Sequence, residues 1–222
     1  GERWSGAGRG VADFAYFFFG TGVGGGLILS HQVYRGGSLN AGEFGHSSVL
    51  PDGPECYCGN RGCLERLVNP TAIVAQVHRR LVEEPRPESE LARAFAQDPE
   101  SVDHDAIGRA AAAGDPVAAA VIDETAEHVA SVAVDIVNFI DVDLIVLGGH
   151  GIQHVEQRYV EVVAAALASR PLSRHVRVVD VEASWLGTDA AVVGSAALVL
   201  HATYSPQLSA LLGTGVAPGG RR

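Results

Sequence analysis

The chain has 222 residues and a formal net charge of −10, from 16 basic and 26 acidic residues, and its basic doublets are Arg79-Arg80 and Arg221-Arg222; that balance argues against gripping nucleic-acid phosphates directly. Hydrophobic residues at 47% and charged residues at 19% describe a chain that buries a core, which excludes disordered and fibrous classes. No apolar run reaches the roughly eighteen residues of a membrane helix, and the short apolar run 14–19 reads as a buried strand rather than a signal peptide, so the expectation is a cytoplasmic protein with no membrane contact.

In chain order, residues 14–20 (FAYFFFG) have strand length and composition, and 24–30 (GGGLILS) resume a strand after a glycine-rich turn, making a hairpin. Residues 46–50 (HSSVL) alternate like a third strand. Asn69 as N-cap and Pro70 at the first helical position predict a helix to about residue 84. Further helices are expected over 88–97 and 105–113, the second closed by Gly114. The longest periodic segment, 115–140, repeats Val121, Thr125, Val129, Val132, Ile136 and Phe139 at helical spacing. Residues 143–149 (DLIVLGG) read as a strand buried on both faces. A helix over 152–169, a strand over 176–181, a helix over 189–203 and a frayed tail over 205–222 complete the pattern. Three meander strands followed by helix-linked strands indicate an α/β domain with a mixed sheet flanked by helices.

The three cysteines lie within eight residues. Cys56, Cys58 and Cys63 with His46 form a donor set of three thiols and an imidazole, which suits tetrahedral zinc. The alternative is three unremarkable small residues in a loop. Residues 20–26 (GTGVGGG) match G-x-G-x-x-G, yet a strand follows the glycines where a dinucleotide fingerprint requires a helix. The backbone there supports a phosphate-cradling turn, with the Thr21 hydroxyl at its tip, and a plain flexible hairpin equally well. Glu43 and Glu65 flank the cysteine loop; by themselves they read as solvated surface carboxylates. Residues 147–151 (LGGHG) end a buried strand where α/β sheets bind ligands, or simply begin a helix.

Together GTGVGGG, AGEFGH, CYCGNRGCLE, DLIVLGG and LGTDAAVVGSAAL follow in the order and at about the spacing of the ROK family of repressors, open reading frames and sugar kinases, which this chain resembles over residues 6–200. The resemblance implies the actin-like ATPase (ribonuclease H-like) fold with a zinc-stabilised loop over residues 1–204. It implies structural Zn2+ on His46, Cys56, Cys58 and Cys63, and a sugar site on Glu43, His46 and Glu65. It implies nucleotide contacts, where retained, at Gly20, Thr21, Gly22, Gly24, Gly148 and Gly149, with ATP-Mg as a cofactor only in a kinase. A homo-oligomer, dimer or tetramer, is the family's assembly.

The family's N-terminal phosphate motif and the Asn-Asp pair bearing the kinase base are not in this sequence, nor is a helix-turn-helix. The resemblance places them before Gly1, so no catalytic residue is assigned within the chain and DNA is expected to be met only through another domain. His150 stands where the kinases' adenosine turn has a third glycine, and DAAVVGSAAL is nearer the repressor branch. The expectation is therefore the sugar-sensing effector domain of a ROK transcriptional repressor; the alternative is the C-terminal half of an ATP-dependent, glucokinase-type sugar kinase.

Overall fold

The computed structural model describes residues 1–83 and 86–204. A short helix α1 (Glu2–Ser5) precedes β1 (Phe14–Phe19), which reverses through Gly20–Gly22 into β2 (Val23–Leu29) and then β3 (Gln32–Tyr34). Helices α2 (Leu64–Val68), α3 (Pro70–Glu83), α4 (Glu90–Gln97), α5 (His104–Ala112) and α6 (Pro116–Ile140) follow. Then come β4 (Leu144–Gly148), α7 (Glu156–Ser169), β5 (Asp180–Ala183) and α8 (Ala190–Tyr204). The sheet runs β3-β2-β1-β4-β5, antiparallel on the hairpin side and parallel from β1 to β5. This is the expected mixed α/β sheet.

The alternation of β1 decides the two faces. Ala15, Phe17 and Phe19 point with Ile145 and Leu147 of β4 into the main core, which α6 and α7 close with Val121, Val129, Ile136 and Tyr159. Phe14 packs with Ile28, Leu144 and Val146 in a smaller cluster on the opposite face. Asn69 caps its helix as expected, its side chain accepting from the Ala72 amide at 2.8 Å, and Asp115 likewise caps α6, accepting from the Val117 and Ala118 amides.

Three expectations are corrected. The third strand is Gln32–Tyr34, entered through Ser30 and His31, both at positive φ, a turn without glycine that local pattern does not reveal. Residues 46–50 form no strand; Ser48 makes a single bridge to Cys63 while His46 ends a 3-10 turn, because the chain must curl to bring its donors together. The last strand begins at Asp180 rather than Val176, because Arg177 pairs with Asp141 and Asp143 and holds Val176 and Val178 outside the ladder. Phe139, the last residue of the repeat at helical spacing, departs from the buried face of the others and is 83% exposed. The expected tail, 205–222, and the end of the α3 prediction at residue 84 lie outside the described residues.

The glycines of β2 let a loop lie flat against the sheet. A Cβ on Gly25 would fall 2.1 Å from the Phe44 ring, and one on Gly45 would fall 2.1 Å from the Val23 carbonyl oxygen. Phe44, buried against Phe17 at 5.0 Å between ring centres, anchors the loop. Because the Gly45 obstacle is ladder backbone, Gly45→Ala is expected to destabilise the fold by about 2 kcal/mol or more. That corresponds to a melting point about 4–8 °C lower; an unchanged melting curve would mean the loop is not seated on β2.

Candidate functional site

Phe44 fixes Glu43, which precedes its 3-10 turn, and His46, which ends it. The chain then passes through a knuckle built by backbone bonds: Cys56 N–H donates to Asn60 O at 2.8 Å, Gly59 N–H to Cys56 O at 3.0 Å and Gly62 N–H to Pro54 O at 2.8 Å. Gly62 has φ +60°, and a Cβ there would overlap the Leu50 carbonyl oxygen, so no other residue fits the turn. Cys63 follows, fully buried, and is the residue from which α2 starts. Zinc-loop geometry therefore passes directly to Glu65, in the first turn of α2.

The donor atoms of His46, Cys56, Cys58 and Cys63 all lie within 4.8 Å of one another. With Zn–S about 2.3 Å and Zn–N about 2.0–2.1 Å, a tetrahedral site has S···S edges of about 3.8 Å and S···N edges of about 3.6 Å. Cys58 Sγ and Cys63 Sγ are 3.7 Å apart, and Cys56 Sγ lies 3.6 Å from His46 Nδ1. The set fits a structural zinc. With no cation, burial first and then the neighbouring Cys58 and Cys56 push the Cys63 thiol up to about 12. A backbone hydrogen bond at Asn60 is the main cause that lowers Cys58. Three thiols crowded in this way are what a dication would convert to thiolates.

The second imidazole nitrogen faces away from the sulfurs. His46 Nε2 meets the Tyr57 hydroxyl at 3.1 Å, with the two rings edge to face at 5.1 Å. Glu65 Oε2 accepts from the Val23 amide at 2.9 Å and lies 2.2 Å from where a Cβ on Gly22 would sit. The Tyr57 phenol is raised above its ordinary value, first by desolvation, then by Glu65, and less by Cys56 and Glu43. His46 and Glu65 thus adjoin one hydroxyl, at the end of the loop nearest the β1–β2 turn, while Glu43, exposed, immediately precedes the 3-10 turn that ends at His46. Sequence reading overlooked Tyr57; its place between two ligand cysteines was the available signal.

The glycine turn itself is tight. Gly20 N–H is satisfied by Gly22 O at 2.9 Å, Thr21 is exposed at the apex, and Gly24 already belongs to β2. Opposite it, Gly148 ends β4 and Gly149 presses on β1, where a Cβ would lie 2.3 Å from the Phe19 carbonyl oxygen. The two glycine segments therefore meet at the carboxyl ends of neighbouring parallel strands. The His150 ring leans toward Gly20, its Cε1 3.6 Å from a Cβ built there. It also borders a cavity of about 300 Å³ lined by His104, Asp105 and His154. Burial, followed by the charge of His150, lowers the His104 pKa. His154 Nε2 is 2.6 Å from Asp105 Oδ1.

Comparison with known proteins gives a coherent picture. The model of the ROK family matches residues 1–202. A glucokinase of Thermotoga maritima is 31% identical over 201 residues, covering 90% of this chain and 62% of that protein. An N-acetylmannosamine kinase of Vibrio cholerae is 34% identical over 184 residues, covering 83% and 56%. Among solved structures, a ROK family glucokinase of Streptomyces griseus in complex with glucose and AMPPNP superposes with TM-score 0.79 at 29% identity, over 89% of this chain and 63% of that one. A ROK family transcriptional regulator, a homolog of the E. coli MLC protein, gives 0.71 at 27% identity, over 82% and 44%. The chain thus spans about three fifths of the curated relatives it matches. No helix among the described residues is long and apolar enough to cross a membrane.

Proposed function

The chain belongs to the ROK family, and on that premise we propose that residues 1–204 form the sugar-binding and nucleotide-facing part of an ATP-dependent hexose kinase. The observation that carries the reading is the approach of His46 Nε2 to the Tyr57 hydroxyl, with Glu65 held beside the β1–β2 turn by the Val23 amide; Glu43, just before the same 3-10 turn, is assigned to the site as part of the proposal. A carboxylate accepts from a sugar hydroxyl, while an imidazole whose Nδ1 faces a metal carries its proton on Nε2 and donates to one. Two acceptors and one donor on a rigid wall suit vicinal hydroxyls.

Zinc on His46, Cys56, Cys58 and Cys63 would supply structure only, holding the imidazole plane and the start of α2. Glu65 is positioned further by the Val23 amide, which binds one carboxylate oxygen. Amides at the glycine turn, beside Gly148 and Gly149, would meet phosphate, so one short element faces both substrates. No general base is placed among these residues. The expected repressor assignment gives way to the kinase alternative for two reasons. The glycine segments that a pure sugar sensor has no use for are packed against each other, and the curated relatives reported above are kinases. The regulator likeness keeps the sensor as a second reading.

The test is the full-length protein with glucose and N-acetylmannosamine, with and without ATP-Mg. ATP-dependent formation of sugar phosphate is the expected result. Sugar binding by calorimetry with neither nucleotide binding nor turnover would assign the site to a sensor instead.

A further inference from the structure

We propose that Tyr57 is a displaceable occupant of the sugar subsite, its hydroxyl holding the position on His46 Nε2 that a sugar hydroxyl must take. The inference rests on the sugar-site reading above. Nε2 has a single in-plane hydrogen-bonding position, and the Tyr57 oxygen fills it at 3.1 Å. The phenol and a ligand hydroxyl therefore exclude one another on that nitrogen.

The side chain is built to move. Its backbone is pinned on both sides by Cys56 and Cys58, whose sulfurs belong to the donor cluster. The ring beyond is 77% exposed. Swinging it out about its side-chain torsions gives up the edge-to-face contact with His46 and the hydroxyl's interactions with His46 and Glu65, and leaves the loop in place. The arrangement also discriminates between ligands. A compound that offers one hydroxyl merely exchanges that bond for the one Tyr57 already makes. The phenol already interacts with Glu65 as well, whereas a vicinal diol can place one hydroxyl on His46 Nε2 and a second on the Glu65 carboxylate, making more charge-assisted bonds than the single phenol oxygen. Tyr57 thereby sets a threshold that favours adjacent hydroxyl pairs.

The experiment compares the full-length wild type with Tyr57→Phe and Glu65→Gln by calorimetry with glucose and with N-acetylmannosamine, with zinc content and melting point measured for each. Phenylalanine keeps the ring on His46 and removes the competing hydroxyl, so the better ligand should bind roughly 2- to 10-fold more tightly. Glu65→Gln should bind it at least tenfold more weakly. A Tyr57→Phe protein with full zinc and equal or weaker affinity, alongside a weakened Glu65→Gln, overturns the displaced-tyrosine proposal and leaves the sugar site standing. In that case Tyr57 is itself a sugar contact or a bystander. Binding that is absent in all three proteins, or indifferent to Glu65→Gln, overturns both.

Discussion

Elemental analysis of the purified protein is expected to give one zinc per chain, and Cys58→Ser is expected to lose it. Cys58 is the informative ligand to change because it is exposed, so serine leaves no core cavity and the effect reports the metal. Structural zinc contributes on the order of 10–16 kcal/mol in small zinc-folded peptides. The knuckle has little else of that size: the Arg61–Glu55 ion pair, 2.7 Å long and exposed on both sides, is worth at most about 1 kcal/mol. Without the metal, residues 56–63 should become protease-sensitive and α2 should lose its fixed start. The pH dependence has a definite sign. Cys63 holds its proton strongly in the metal-free site, and zinc must displace it. Affinity therefore falls on acidification, by about tenfold per pH unit for each thiol proton released. Protein that contains no metal while all three thiols titrate freely would refute the assignment.

The second large effect belongs to the carboxylates. Glu65→Ala and Glu43→Ala should each weaken sugar binding by roughly 1.5–3 kcal/mol, or about 10- to 150-fold, the cost of losing a hydrogen bond to a charged group. Glu65→Ala should be the more harmful, because it also strands the Val23 amide beside the glycine turn. Glu65→Gln separates the two roles. The amide oxygen still accepts from Val23, so the fold is kept and only the charge toward the ligand is lost. Calorimetry and thermal melting on the same samples make the distinction. Equal affinities in wild type and both alanine variants would show that the two carboxylates do not face sugar.

Much of this was legible in the chain itself. The aromatic run of β1, the wholly apolar β4, and the capped, periodic α3 and α6 follow from local pattern, because alternation, buried-strand composition and side-chain caps act between near neighbours. The donor set was legible too: cysteine occurs at three positions, all in one loop, with a histidine upstream and glycine and proline between. Chain separation does not reveal register or approach. The Gln32–Tyr34 strand hangs on a left-handed Ser30-His31 turn without glycine, and the late start of β5 on an Arg177 that pairs with aspartates more than thirty residues away. Only tertiary structure decided that Nδ1 of His46 turns to the sulfurs and Nε2 to Tyr57. The same holds for Glu65, which reads as a solvated glutamate until the fold sets its carboxylate on the Val23 amide, 42 residues away. Residue types name the possible chemistry; which nitrogen and which oxygen face the ligand depends on packing between segments that local pattern does not connect.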